Sequence, residues 1–251
     1  MMNGLKDRTG IILAGGLGTR LTPCTDVISK HLLPVYDKPM ILYPISTMVT
    51  AGIKDIMVIT NGQRSLELTR DLLDMQVRDD VRIFYTIQDD PTGGIAQAYT
   101  IADDWLHGRP STLLLGDNIF IDNVGNPPAP NSLNICKVAD PSDYGVVSFG
   151  EYRVIDFVVE KPLQPPSQWA VTGAYHFDAD APAYARELEK GSRGQYEITD
   201  LINLYIKRKH VTYNRIHQAW FDCGTPDRML EAANFIQAWQ SRTGDLIGGL
   251  Y

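Results

Sequence analysis

A four-residue apolar run, Ile11-Ile12-Leu13-Ala14, breaks abruptly into Gly15-Gly16-Leu17-Gly18-Thr19-Arg20, and this junction constrains the fold more than any other stretch. A short, unbroken apolar run closed by glycine suits a strand buried on both faces. Three glycines at a strand end let backbone N–H groups approach a ligand closely, because no Cβ stands between them. Successive amides in such a turn form a concavity suited to phosphate oxygens. Arg20 adds a planar, permanent cation and Lys30 a compact one, so the segment reads as a polyphosphate cradle. Two common loops are ruled out. A P-loop closes on Gly-Lys-Ser/Thr, whereas Gly18 is followed by Thr19-Arg20. A dinucleotide fingerprint asks for Gly or Ala at position 21, which is Leu21.

Downstream, the pattern alternates. Residues 55–60, 81–87 and 112–115 are short runs rich in apolar and β-branched residues that predict strands. Helices are expected over 39–51, with Pro44 giving a kink or a late start, over 65–75 with Ser65 as cap, and over 96–106. Such alternation predicts an α/β, Rossmann-like fold: a mostly parallel central sheet, helices on both faces, and a smaller α+β addition. In sheets of this kind ligands bind at the carboxyl ends of strands, where the glycine loop, Gln88 and Asp117 all fall. Residues 122–134, rich in Pro and Gly, read as a surface loop. Strands are expected over 146–149, 154–159 and 170–177, and Thr225-Pro226 opens a last helix reaching about Trp239. The whole chain, 1–251, is expected to be one domain, with one part over about 8–120 and another over about 135–240.

Charge narrows the function classes. A net charge of −7 argues against broad nucleic-acid binding, which asks for a basic face. An acidic chain that binds anionic nucleotides must cluster its cations and recruit a metal. No apolar run is long enough to cross a membrane, and MMNGLKDRTG has no apolar core ahead of the first strand. Cys24, Cys136 and Cys223 are odd in number and fit no zinc pattern, which suggests a reduced, cytoplasmic setting.

The stretches LAGGLGTRLTP and SKHLLPVYDKPMI together resemble the signature of the sugar-1-phosphate nucleotidyltransferases. Within that family the chain is most similar to the shorter forms of the branch that uses dTTP and glucose 1-phosphate, and the likeness extends from Gly10 to about Trp239. The resemblance implies Mg²⁺ held by Asp117 of the Gly-Asp-Asn motif and Asp222 of Trp-Phe-Asp-Cys-Gly-Thr. It implies nucleotide contacts from Leu13, Gly15, Gly16, Gly18, Thr19, Arg20, Lys30, Gln88, Gly94 and Asp117. Gln88, with Pro91 and Gly93-Gly94, matches the base-recognition segment; an amide offers both donor and acceptor to a pyrimidine edge. Sugar contacts are implied for Asn118, Tyr144, Gly145, Glu160, Lys161, Val171, Thr172 and Arg193. The resemblance thus makes about 8–120 the nucleotide-binding part and the α+β addition over about 135–240 the sugar-binding, metal-completing part. Arg20, Lys30, Lys161 and Arg193 are the implied catalytic cations. Gln195 stands where relatives carry Glu, while Glu197 and Asp200 keep the pattern.

The implied reaction is in-line attack of a sugar-phosphate oxygen on an α-phosphorus, giving a nucleotide sugar and pyrophosphate. Long-form relatives are tetramers with a regulatory nucleotide site helped by C-terminal helices. A homo-oligomer is therefore expected, with that regulation reduced in a chain ending at Tyr251. Other readings stay open: UTP or another nucleotide in place of dTTP, a glycosyltransferase whose Asp-x-Asp would be Asp178-Ala179-Asp180, or a non-catalytic nucleotide-sugar sensor. His31 is not assigned catalysis.

Overall fold

The computed structural model describes residues 8–90 and 92–250. Expectations for the first seven residues, for Pro91 in the base-recognition segment and for Tyr251 lie outside the described residues. In chain order the first half comprises β1 Thr9–Ala14, β2 Pro34–Val35, β3 Lys38–Pro39, α1 Leu42–Thr50, β4 Asp55–Thr60, α2 Gln63–Gln76, β5 Arg82–Ile87, α3 Gln97–Leu106, β6 Ser111–Leu115 and β7 Asn118–Phe120. The second half adds β8 Ser132–Lys137, β9 Gly145–Phe149, β10 Ile155–Glu160, β11 Trp169–Phe177, α4 Ala181–Arg186, α5 Ile198–Arg208, β12 Thr212–Arg215, β13 Trp220–Asp222 and α6 Pro226–Thr243. The class is α/β, as expected. No helix among the described residues is long and apolar enough to cross a membrane.

Two compact units divide the chain, and each is discontinuous in sequence. The first holds the described residues of 10–91, 114–125 and 218–251; the second holds those of 1–9, 92–113 and 126–217.

In the first unit β4 lies between β1 and β5 and runs parallel to both, with Ile12 opposite Val58 and Ile56 opposite Ile83. The apolar run of β1 is buried throughout, which explains why it shows no alternation. Helix α2 packs on β4 and β5 and buries Leu66, Thr69 and Leu73. It starts two residues before the expected Ser65, because Gly62, at φ 89°, turns the chain straight into Gln63. Helix α1 starts later than Pro39, which instead pairs with Pro34 in the β2–β3 hairpin. Pro44 is its third residue, in the turn whose N–H groups have no helical acceptor, so the ring costs little there. Thr225 caps α6 by accepting from the Arg228 N–H, and the helix runs to Thr243 before Gly244 turns left-handed at φ 77°. Its Ala232 and Ile236 pack with Val35, Met40, Tyr43, Ile119, Phe221 and Cys223 in one apolar cluster that anchors the β7–β13 pair.

In the second unit β11 is the central strand, antiparallel to β8 on one side and to β9 on the other. Beyond them β10 joins β9 antiparallel and β12 joins β8 parallel. The expected loop over 122–134 is shorter than the sequence suggests, since Ser132 to Asn134 already belong to β8. Pairing on both edges holds these polar residues in a strand despite their weak propensity. Helix α5 buries Ile198, Leu201, Ile202 and Tyr205 against the unit. Its Asn203 amide donates to the Val158 carbonyl and accepts from the Val158 N–H, each at 2.8 Å, fastening the helix to β10.

Candidate active site

The first unit assembles a site around the end of β1. Gly18, left-handed at φ 68°, caps a single 3-10 turn, Thr19–Leu21, that carries Arg20. The glycines serve side chains as much as backbone amides. A Cβ on Gly15 would stand 2.7 Å from Gln88 Oε1, and one on Gly16 would stand 3.1 Å from Lys30 Nζ. A Cβ on Gly224 would meet Arg20 Nη2 at 2.5 Å. Each of these glycines is a bed on which an expected functional side chain lies.

Asp117 sits at the corner between β6 and β7. Its Oδ2 accepts from Lys30 Nζ at 2.5 Å and its Oδ1 from Asn118 Nδ2 at 3.0 Å. Asn118 in turn accepts from Trp220 Nε1 at 2.6 Å. Trp220 and Asn118 thus position the aspartate, a role the sequence did not suggest for either. Burial opposes the charge on Asp117, but the Lys30 ammonium and the two hydrogen bonds hold its carboxyl well below the usual range.

Asp222 is brought alongside by the β7–β13 pair, where it lies opposite Asn118, and the Cys223 N–H donates to the Asp117 carbonyl at 2.9 Å. Burial first, and then the neighbouring Asp117, push the Asp222 carboxyl up, while Arg228, Lys30 and Arg20 pull it back. Arg228 Nη1 donates to Asp222 Oδ2 at 2.9 Å. Two mutually repelling carboxylates, each braced by one cation, are a set that a hard divalent cation can take when phosphate and water supply its remaining ligands. No group of three or more His, Cys, Asp or Glu suited to a metal occurs among the described residues, so substrate oxygens would have to complete any coordination.

His31 is fully buried, with Ser29 Oγ 3.0 Å from its Nδ1. Burial, reinforced by Lys30, lowers its pKa to about 3, so it is neutral and unsuited to act as a base.

The second unit holds the other group. Arg193 Nη2 donates to Glu160 at 2.7 Å and to Glu197 at 2.6 Å, and its Nε adds a second bond to Glu197 at 3.0 Å. Burial raises the pKa of Glu160 despite Arg193. Gly145 lies opposite Glu160 in the β9–β10 pair, and a Cβ there would meet Thr199 Cγ2 at 2.8 Å. Lys161, exposed at the end of β10, holds a left-handed φ of 42° that a non-glycine residue adopts at a cost, and its N–H is tied to the Tyr144 carbonyl at 2.9 Å. Val171 and Thr172 are buried on β11, and the Thr172 hydroxyl donates to the Asn134 carbonyl at 2.9 Å. Gly94, at φ 79°, has no room for a side chain, since a Cβ would fall 2.5 Å from the Tyr196 carbonyl; the flanking 93–96 backbone pairs with Tyr196.

The candidate residues therefore divide between the units. Leu13, Gly15, Gly16, Gly18, Thr19, Arg20, Lys30, Gln88, Asp117, Asn118 and Asp222 belong to the first, and Gly94, Tyr144, Gly145, Glu160, Lys161, Val171, Thr172 and Arg193 to the second. Arg228 went unnoticed in the sequence, because a charge six residues past an aspartate carries no regular spacing.

The model of the family described as nucleotidyl transferase matches residues 9–238. This chain belongs to the nucleotidyl transferase family. It is 43% identical over 250 residues to the glucose-1-phosphate thymidylyltransferase of Xanthomonas campestris pv. campestris strain B100, covering 96% of this chain and 84% of that one. It is 42% identical over 248 residues to the Mycobacterium tuberculosis enzyme of the same name, covering 94% and 84%. Among solved structures, a Bacillus anthracis protein assigned as a glucose-1-phosphate thymidylyltransferase, in complex with sucrose, superposes with a TM-score of 0.83 at 37% identity, covering 91% of this chain and 94% of that chain. A UDP-glucose pyrophosphorylase complexed with UDP-glucose follows at 0.79 and 25% identity, covering 94% and 99%.

Proposed function

We propose that this nucleotidyl transferase uses dTTP and glucose 1-phosphate to make dTDP-glucose and pyrophosphate, in a Mg²⁺-dependent reaction. The observation that carries the reading is the paired carboxylates of Asp117 and Asp222, flanked by Lys30 and Arg228 beside the glycine loop, in a chain so similar to named thymidylyltransferases. Asp117 and Asp222 would hold the metal, which supplies charge neutralisation for the nucleotide phosphates.

The chain's own residues bind and orient two anions. Arg20 steadies the triphosphate and the departing pyrophosphate. Lys30 has three N–H donors and can keep Asp117 on one while offering another to phosphate. Arg193 is already shared by Glu160 and Glu197, so it serves chiefly to aim those carboxylates at sugar hydroxyls. Lys161, exposed beside them, supplies charge to the sugar phosphate. That phosphate is already an anionic nucleophile, so no general base is needed, in keeping with a neutral His31. Rate enhancement comes from positioning and fixed charge, as in other phosphoryl-type transfers.

A second reading, with UTP as the nucleotide, draws on the similar UDP-glucose pyrophosphorylase fold. Pyrophosphate release across dTTP, UTP, ATP, CTP and GTP with several sugar 1-phosphates, with Mg²⁺ and with chelator, separates these. Highest kcat/KM for dTTP with glucose 1-phosphate, abolished by chelator, is expected. Preference for UTP moves the assignment to the second reading. Sugar transfer from a nucleotide sugar without pyrophosphate release, or binding without turnover, overturns both.

A further inference from the structure

Resting on the reading of Asp222 as a metal ligand, we propose that Arg228 is the residue that positions it. The two aspartates are supported differently. Asp117 has both oxygens engaged inside the unit, by Lys30 and by Asn118. Asp222 has Oδ2 on Arg228 Nη1 at 2.9 Å, while its Oδ1 faces the backbone of Gly224, 3.2 Å from where a Cβ would stand. One oxygen is thus fixed and the other is left on the glycine side, where Arg20 also lies.

Helix electrostatics make this placement informative. Arg228 is the third residue of α6, in the first turn, where the helix dipole disfavours a cation. Its backbone N–H donates to the Thr225 hydroxyl at 3.4 Å, and its side chain reaches Asp222 at the end of β13. The pair is partly buried, with the Asp222 side chain 16% exposed and that of Arg228 30%. An arginine held in an unfavourable turn and aimed at a carboxylate oxygen is a device for keeping that carboxylate in one rotamer. A ligating carboxylate commonly has such a hydrogen-bond donor behind it, and losing the donor costs on the order of 10–100-fold in metal affinity or activity.

The test is Mn²⁺ binding to the protein held with dTTP in the absence of glucose 1-phosphate, so that nucleotide oxygens can complete the coordination without turnover. It is followed by the enhancement of water-proton relaxation over that of Mn²⁺–dTTP alone, for wild type, Arg228→Met, Arg228→Lys and Asp222→Asn. Thermal unfolding confirms that each variant is folded. Arg228→Met is expected to bind Mn²⁺ about tenfold more weakly, with Arg228→Lys recovering part of the loss. In turnover, the Mg²⁺ concentration for half-maximal rate rises by a similar factor, while KM for glucose 1-phosphate and kcat at saturating Mg²⁺ stay near wild type. A merely structural ion pair would lower stability and shift none of these selectively. Unchanged or tighter Mn²⁺ binding in Arg228→Met, with binding lost in Asp222→Asn, overturns this inference and leaves the metal site standing. Binding unchanged in Asp222→Asn, or no enhancement over Mn²⁺–dTTP in wild type, overturns the metal reading itself.

Discussion

The two units use charge in opposite ways. In the first, each of two carboxylates is braced by one cation: Lys30 holds Asp117 and Arg228 holds Asp222. In the second, one cation is braced by two carboxylates, with Arg193 forked between Glu160 and Glu197. On the proposed function the first arrangement would hold a metal and its phosphates. The second leaves a net negative, hydrogen-bond-accepting cluster, which suits hydroxyl donors better than phosphate. The difference explains why a residue's formal charge says little about its ligand until its neighbours are known.

The contrast can be broken most sharply at Arg20. Its replacement by Ala is expected to lower kcat by about 10²–10³, the usual cost of one preorganised charge contact, with glucose 1-phosphate binding retained. Near-wild-type turnover in stopped-flow or steady-state assays would remove Arg20 from the triphosphate site. Arg193→Met leaves Glu160 and Glu197 facing each other without their shared donor. Since hydrogen bonds to charged groups are worth about 1.5–3 kcal/mol, KM for glucose 1-phosphate is expected to rise roughly 10- to 100-fold while KM for dTTP holds. A rise in both would mean that the units do not divide the substrates. Gly224→Ala puts a methyl group where the Arg20 guanidinium lies, so kcat should fall about tenfold, equivalent to ~1.4 kcal/mol, without loss of the fold by circular dichroism.

The smallest effect concerns acid and stability. Burial raises the folded-state pKa of Glu160 above the 4.5 of an exposed Glu, so its ionisation costs stability at neutral pH, and that cost disappears once pH falls below 4.5. Thermal melts over a pH series should therefore show Glu160→Gln gaining on wild type as pH rises through the carboxylate range. The opposite slope would mean that Arg193 more than offsets burial of Glu160.

Much of this was legible before any coordinates. Strands β1, β4 and β5 are runs whose apolar and β-branched composition admits little else. Thr225-Pro226 opened α6 where capping chemistry said it would. Helix α2 was misplaced by two residues because Gly62, not Ser65, makes the turn, and glycine's freedom leaves no side-chain mark. Helix α5 was read only as a stretch of motif, although Ile198, Leu201, Ile202 and Tyr205 carry a helical period.

By itself the sequence determined the glycine loop, the alternation of strands and helices, the acidic balance and the motifs that identify the family, since all are local or compositional. Only the tertiary structure decided that residues 92–113 group with 126–217, that Asn118 supports Asp117, and that Arg228 faces Asp222. Asn118 is next to Asp117 and Arg228 only six residues past Asp222, but neither contact follows from that spacing; each depends on packing such as that of Trp220 on Asn118, 102 residues away. A side chain's partner there is set by distance in space, which spacing along the chain does not encode.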